Sequence, residues 1–287
     1  VSAAAAAADA EGYRLLDSGG GRRLEQVGPY RLDRQAAGAW WRPRLPAEAW
    51  AAADAIHHRS DAGGGEWELR RPLPESWAIE HGGVRMRVKL TPFGHLGLFA
   101  EHVAQWAWMQ GRLREAGGSP RVLNLFAYTG GASVAAAQAG ARVSHVDAAK
   151  GIVDWARENA QRNGVDTVQW VVEDAALFVQ REHKRGRQYE GIILDPPTFG
   201  RGAKRELWKI EEQLPPLLAE LSRILSPDAA FFLLSCHTPG FTPLALRNLL
   251  GDALGGRSGR IEEGEMFIPE AEGRALPSGA WSRWSPR

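Results

Sequence analysis

Residues 191–199 form an apolar run that ends in Asp195-Pro196-Pro197-Thr198-Phe199: an acid, two prolines, a hydroxyl and an aromatic ring. Each proline fixes its own φ and pushes the residue before it toward an extended shape, so the chain leaves this run in a held, non-helical conformation. Neither proline offers an N–H, which leaves a nearby carbonyl able to accept a bond from a ligand. A planar base carrying an amino group, with Phe199 stacked beside it, suits such a pocket. The second chemical candidate is Cys236, the single cysteine of the chain, within Ser235-Cys236-His237-Thr238. A neighbouring histidine can depress a thiol's pKa and make it a nucleophile. The competing possibility is an inert core cysteine, a common fate for a free thiol.

The elements that must position these groups are legible from about residue 96 onward. A helix is expected over Glu101–Glu115, stopped by Gly117-Gly118-Ser119-Pro120. Strand Val122–Phe126, a glycine turn and an alanine-rich helix Ser133–Ala139 follow. Strand Val143–Asp147 then precedes helix Ile152–Asn163, and strand Val168–Val172 leads into a helix over 175–183. Strand Gly191–Leu194 reaches the proline motif. A helix Ile210–Ile224, interrupted at Pro215-Pro216, precedes strand Ala230–Ser235, a helix over 243–253 and a final strand pair within Arg260–Ile268. Strands separated by helices imply an α/β fold with a Rossmann-like, doubly wound, mostly parallel sheet. Ligands of such sheets bind at the carboxyl ends of the strands.

Four successive strand ends carry polar or permissive residues. After the first come Phe126, Tyr128, Thr129 and Gly130-Gly131, where glycine lets the backbone approach a ligand closely. A dinucleotide site would need Gly-x-Gly-x-x-Gly so that pyrophosphate meets the helix N-terminus. This turn lacks that pattern and suits a ligand without phosphates, which argues against a nicotinamide oxidoreductase. The second strand ends in Asp147, whose carboxylate can accept both hydroxyls of a ribose. The third ends near Asp174-Ala175, where the acid can accept from an adenine amino group. Either acid could instead cap the helix that follows it. With Asp195-Pro196 on the fourth strand, the set describes a pocket for an adenosine-bearing ligand.

These residues resemble the class I S-adenosylmethionine-dependent methyltransferases, over roughly 96–270, and within them the bacterial large-subunit ribosomal RNA methyltransferase I-like group. That resemblance implies S-adenosyl-L-methionine as cofactor. It also implies a cofactor contact from Phe99, in Gly97-Leu98-Phe99-Ala100-Glu101-His102, although the group's usual Asp-Gln-Arg ending is absent. Related ribosomal RNA enzymes carry a Ser/Thr-Cys-Ser stretch at the position of Ser235-Cys236. The expected activity is methylation of RNA, ribosomal RNA foremost, at cytosine carbon 5 through a Cys236 thiolate. The alternative is an exocyclic amino nitrogen, because Asp195-Pro196-Pro197 is similar to the signature of amino-group methyltransferases. A protein or small-molecule acceptor, or a non-catalytic RNA-binding role, also stays open. Pro197 and Phe199 would meet the substrate, with Arg201, Lys204 and Arg205 gripping phosphates.

Residues 11–95 look different: short β-like pieces (Arg14–Leu16, Tyr30–Leu32, Trp67–Arg70, Val84–Leu90) lie between glycine and proline breaks. They read as a small β-rich N-terminal module ahead of a 96–287 catalytic domain, with 1–10 as a disordered tail. Five tryptophans (Trp40, Trp41, Trp50, Trp67, Trp77) belong to this part, as a stacking surface for bases or, preferably, as its own core. A net charge of +1 argues against a uniformly basic duplex-binding surface. One cysteine permits no internal disulfide and fits a reducing, cytoplasmic setting. Eight scattered histidines suggest no metal site, and no apolar run is long enough to span a bilayer.

Overall fold

The structure, a computed structural model, describes residues 12–60, 64–201 and 207–287. The expected tail 1–10, and Lys204 and Arg205, lie outside the described residues. The chain divides into two compact units. One runs to Glu101 and takes in Phe267–Ser278; the other comprises His102–Met266 and Gly279–Arg287. The division thus falls later than residue 95, and a C-terminal segment returns to the first unit.

The N-terminal unit is built from β1 (Tyr13–Gly19), β2 (Arg22–Val27), β3 (Tyr30–Gln35), a short helix α1 (Ala47–Ala51), β4 (Ala55–Arg59), β5 (Gly65–Leu69), β6 (Trp77–His81) and β7 (Val84–Val88). Strands β1 to β5 form one sheet in chain order, antiparallel except for the parallel pairing of β3 with β4, and β6–β7 is a separate antiparallel pair. Its tryptophans serve the unit's own structure. Trp41, Trp50, Trp67 and Trp77 are half-buried, and their indole N–H groups donate to Ser18 O, Asp17 Oδ2, Thr91 O and Val27 O at 2.7–3.1 Å. Trp40 is the exception, exposed at 88%.

The second unit contains α2 (Val103–Ala116), β8 (Arg121–Leu125), α3 (Gly131–Gln138), β9 (Arg142–Asp147), α4 (Lys150–Arg162), β10 (Val168–Val172), α5 (Ala175–Lys184) and β11 (Gly191–Leu194). A short hairpin of β12 (Phe199–Arg201) and β13 (Leu207–Lys209) follows, then α6 (Ile210–Ile224), β14 (Phe231–Cys236), α7 (Pro243–Leu254), β15 (Arg260–Pro269) and β16 (Ala275–Ser285). The sheet order is β10-β9-β8-β11-β14-β16-β15, parallel from β10 to β14, with β16 antiparallel to β14. The order reverses between β8 and β11, which is where doubly wound sheets open a crevice for ligands.

Two local expectations change. The final strand pair is a hairpin that reaches Ser285, because Ala280, Ser282 and Trp284 alternate inward with partly exposed neighbours, a period of two. Helix α6 is not interrupted at Pro215-Pro216. Both prolines lie on the exposed face, where the carbonyls they strand can meet water. Ile210, Leu214, Leu217, Leu218, Leu221 and Ile224 are buried. Each such side chain contributes about 1.5–3 kcal/mol, together more than the roughly 3 kcal/mol cost of each interior proline.

Candidate active site

Strand register brings the expected residues to one level. Leu125 of β8 pairs with Val146 of β9 and with Leu194 of β11, and Leu194 pairs with Leu234 of β14. The next residue on each strand is therefore Phe126, Asp147, Asp195 and Ser235, side by side across the switch point.

Strand β8 stops at Leu125 rather than at the expected Phe126, because Phe126 turns to a φ of 52°. Tyr128 has a φ of 49°, so two bulky residues hold left-handed conformations within three positions. Such conformations persist only where their surroundings impose them, and they cluster at ligand sites. Here Asp147 imposes the shape. Its Oδ2 accepts from Tyr128 N at 3.0 Å and its Oδ1 from Ala149 N at 3.0 Å, while Ala127 N donates to Val146 O at 3.1 Å. Burial raises the Asp147 carboxyl above its usual range, against the pull of those backbone N–H groups. Gly130, at φ 86°, caps α3; a Cβ there would lie 3.0 Å from that of Ala156 in α4. Its missing side chain thus serves the approach of α4 as well as the turn. Thr129 is buried, and its carbonyl accepts from Asn159 Nδ2 at 2.8 Å.

Asp174 caps α5, its Oδ1 accepting from Leu177 N at 3.0 Å, and Ala175 is the buried first residue of that helix. The capping alternative is realised for this acid. Asp174 also lines a cavity of about 330 Å³ with Leu177, Gln180, Trp208, Gln213 and Leu217.

At the β11 tip, Asp195 is not an idle carboxylate. Its Oδ1 accepts from Ser235 Oγ at 2.7 Å, and its Oδ2 lies 3.3 Å from His102 Nε2 and 3.7 Å from His237 Nε2. Burial alone would raise this acid, but the two imidazoles overcome it by charge and hydrogen bonding and hold its carboxyl well below the usual carboxylate range. Pro196 is buried and Pro197 exposed. The Pro197 carbonyl accepts from Trp208 Nε1 at 2.6 Å, which ties the motif to β13. The Trp208 ring lies 4.8 Å from that of Phe126, and Thr198 Oγ1 lies 2.7 Å from Thr238 Oγ1. Phe199 opens the β12–β13 hairpin and is 55% exposed; Arg201 ends β12.

Cys236 departs from expectation. It is 1% exposed, belongs to the apolar core and accepts from Thr238 N at 3.4 Å. Successive residues of a strand point to opposite faces, so the same register that aims Ser235 at Asp195 turns Cys236 away. His237 does not depress its pKa: the ring faces His102 and Asp195, and burial pushes the thiol up. Phe99 belongs to the N-terminal unit, where its ring meets that of His95 at 5.4 Å.

Residues 36–243 match the family model described as S-adenosylmethionine-dependent methyltransferase. The chain belongs to that family. It is similar to the SAM-dependent methyltransferase from Agrobacterium tumefaciens at 40% identity, covering 96% of this chain and 90% of that one with a TM-score of 0.92. Among curated relatives, the ribosomal RNA large subunit methyltransferase K/L of Pseudomonas paraeruginosa is 37% identical over 60% of this chain. The ribosomal RNA large subunit methyltransferase K of Neisseria meningitidis is 30% identical over 58%. The chain spans 23% and 47% of the lengths of those two relatives.

The strand tips of this methyltransferase fit S-adenosylmethionine. The turn Tyr128-Thr129-Gly130-Gly131 carries no cation for a phosphate, while Asp147 and Asp174 offer carboxylates suited to hydroxyls, an amino group and a positive sulfonium. Sequence reasoning missed His102, His237 and Ser235 as partners of Asp195, Trp208 as the partner of Pro197 and Thr238 as that of Thr198. The only hints were His237 beside the cysteine and His102 at the end of the Phe99 segment. No described helix is long and apolar enough to cross a membrane.

Proposed function

We propose that this methyltransferase modifies RNA, ribosomal RNA foremost, at a nitrogen of a base. The observation that carries the proposal is the β11 tip: Asp195 is held by Ser235, His102 and His237, Phe199 is exposed four residues further along, and the one thiol of the chain is turned into the core. The ribosomal RNA names of the curated relatives support the substrate class.

S-adenosylmethionine supplies an electrophilic methyl group. Asp147, the Phe126–Gly130 turn, Asp174-Ala175 and the Asp195-Pro196 backbone are the residues proposed to hold it, with Asp174 and the apolar wall of its cavity toward the adenine. Phe199 stacks the acceptor base once it has left its helix, with Pro197 beneath it. Arg201 and the Lys204-Arg205 segment meet phosphates. Displacement by a nitrogen lone pair asks the protein for alignment and exclusion of water. Attack from cytosine carbon 5 would further require a thiolate at carbon 6, which a buried, core-facing Cys236 is poorly placed to supply.

Transfer of labelled methyl to ribosomal RNA, followed by nucleoside mass spectrometry, tests this. An N-methylated base is expected, with Cys236→Ala keeping most of the activity. A 5-methylcytidine product, or a Cys236→Ala variant that binds S-adenosylhomocysteine but transfers nothing, would overturn it.

A further inference from the structure

We propose that His102, Asp195 and His237 bind one divalent transition-metal ion of the zinc type. The three donors come from three places in the second unit: the residue before α2, the tip of β11 and the residue after β14. Their facing atoms, His102 Nε2, His237 Nε2 and Asp195 Oδ2, form a triangle with sides of 3.3, 3.3 and 3.7 Å. A single point near the plane of the triangle lies about 2 Å from all three, the length of zinc bonds to imidazole nitrogen and carboxylate oxygen; two sides match the roughly 3.3–3.4 Å between ligand atoms around tetrahedral zinc, and the third must close by a few tenths of an ångström.

Protons serve this triangle poorly. If both Nε2 atoms carry hydrogen, two donors face each other across 3.3 Å; if only His102 Nε2 does, its one proton is shared between His237 Nε2 and Asp195 Oδ2, each at 3.3 Å, and the His237 lone pair lies 3.7 Å from that same carboxylate oxygen. A cation removes the conflict, because all three lone pairs then point at it. Two imidazoles and one carboxylate also form a donor set that suits zinc, cobalt, nickel or iron far better than magnesium or calcium.

The surroundings are arranged as a metal site needs. Ser235 Oγ donates to Asp195 Oδ1 at 2.7 Å, which turns Oδ2 toward the imidazoles, and hydrogen bonds of this kind fix ligating carboxylates in metal sites. Gly279 lets the backbone pass close to the strand end beside His237: a Cβ there would lie 2.7 Å from Cys236 O and 3.2 Å from His237 Nδ1. Three protein donors leave a coordination position open, as in catalytic rather than structural zinc sites. His237, at 31% side-chain exposure, leaves a way in from solvent. An oxygen or ring nitrogen of the methyl acceptor can take that open position. The metal is bound whichever acceptor is used, so its test needs neither RNA nor cofactor.

The test uses the full chain, stripped with a chelator and dialysed against Zn2+ or Co2+ alone. One equivalent of metal per chain by elemental analysis is expected, and the cobalt form should show the visible absorption of a low-coordinate nitrogen–oxygen site. His237→Ala and Asp195→Asn should abolish that band. Ser235→Ala should weaken affinity about 10- to 100-fold, as loss of a ligand-orienting hydrogen bond does, with circular dichroism confirming that each variant is folded. Less than half an equivalent bound by the folded wild type, or affinity unchanged in both His102→Ala and His237→Ala, would overturn the proposal. Because methyl transfer is not read, its success or failure is independent of the acceptor assignment.

Discussion

The two units handle buried charge to different extents. In the N-terminal unit, charge is part of the interior. Glu25 has no exposed side-chain surface and takes a two-pronged bond from Arg34 at 2.5 and 2.8 Å, with Tyr13 Oη donating at 2.6 Å. Asp17, 1% exposed, accepts from the backbone of Arg44 and Leu45 and from Trp50 and Arg274; Glu270 accepts from Ser18. The apolar clusters beside these networks are small: Leu15, Ala39, Ile268 and Leu276 in one, Leu24, Ala53 and Ile56 in another. The methyltransferase unit instead has a wide core of Leu, Ile and Phe, and its most buried polar chain, Asn124–Ser133–His145, is neutral. Its working carboxylates sit at strand ends. The N-terminal unit thus ties its strands together with paired charges deep inside, whereas the second unit buries Glu182 beside Arg185 and Tyr189 but builds its other buried polar chain from neutral groups.

Breaking a pair should have the largest effect. Arg34→Ala takes the two-pronged partner from buried Glu25, leaving it Tyr13 and Arg23, and should cost about 3 kcal/mol, whereas replacing both partners by apolar residues of similar volume should cost less; urea unfolding of the variants measures both. Acid should separate the units. His145, pushed down to about 3 by burial, stays neutral in the fold while the unfolded chain takes up a proton below about 6.5. Stability from this group is thus complete above pH 6.5 and falls as pH drops toward 3, by about 2–3 kcal/mol between 6.5 and 4.5. Glu25 is held at about 2: burial raises it, but Arg23 and Arg34 outweigh burial. Its contribution is complete above about 4.5 and is lost between there and 2. Hydrogen exchange at pH 5.5 should therefore show β8–β9 weakened and β1–β3 intact, and His145→Gln should remove that difference.

Smaller effects test whether charge in the second unit serves ligands. Asp147→Asn should weaken S-adenosylhomocysteine binding at least tenfold by calorimetry, about 1.5–3 kcal/mol for hydrogen bonds to a charged group. Phe199→Ala should leave that binding unchanged but weaken RNA binding by about 1–2 kcal/mol, the usual worth of one stacked base. If either variant instead destabilises its unit as Arg34→Ala does, the contrast between the units fails.

Much of this was legible in the chain itself. The alternation of strands and helices, the glycine turn, the acids at strand ends and the rigid Asp195-Pro196-Pro197 step each follow from neighbours in sequence, because period, turn chemistry and proline geometry are local. The β12–β13 hairpin and the continuity of α6 through its prolines were not, since packing on one face decided the second. Nor was the left-handed turn at Phe126 and Tyr128, which depends on a carboxylate 19 residues away from Tyr128.

What the sequence determined by itself was the class of fold and the level at which its chemistry would sit. Only tertiary structure decided which side chains meet there. Asp195 and His237 meet because strand order places the tips of β11 and β14 side by side, and His102, 135 residues from His237, joins them from the start of α2. Register then chose between Ser235 and Cys236: a period of two sends one to Asp195 and the other into the core, and a shift of one residue would have reversed them.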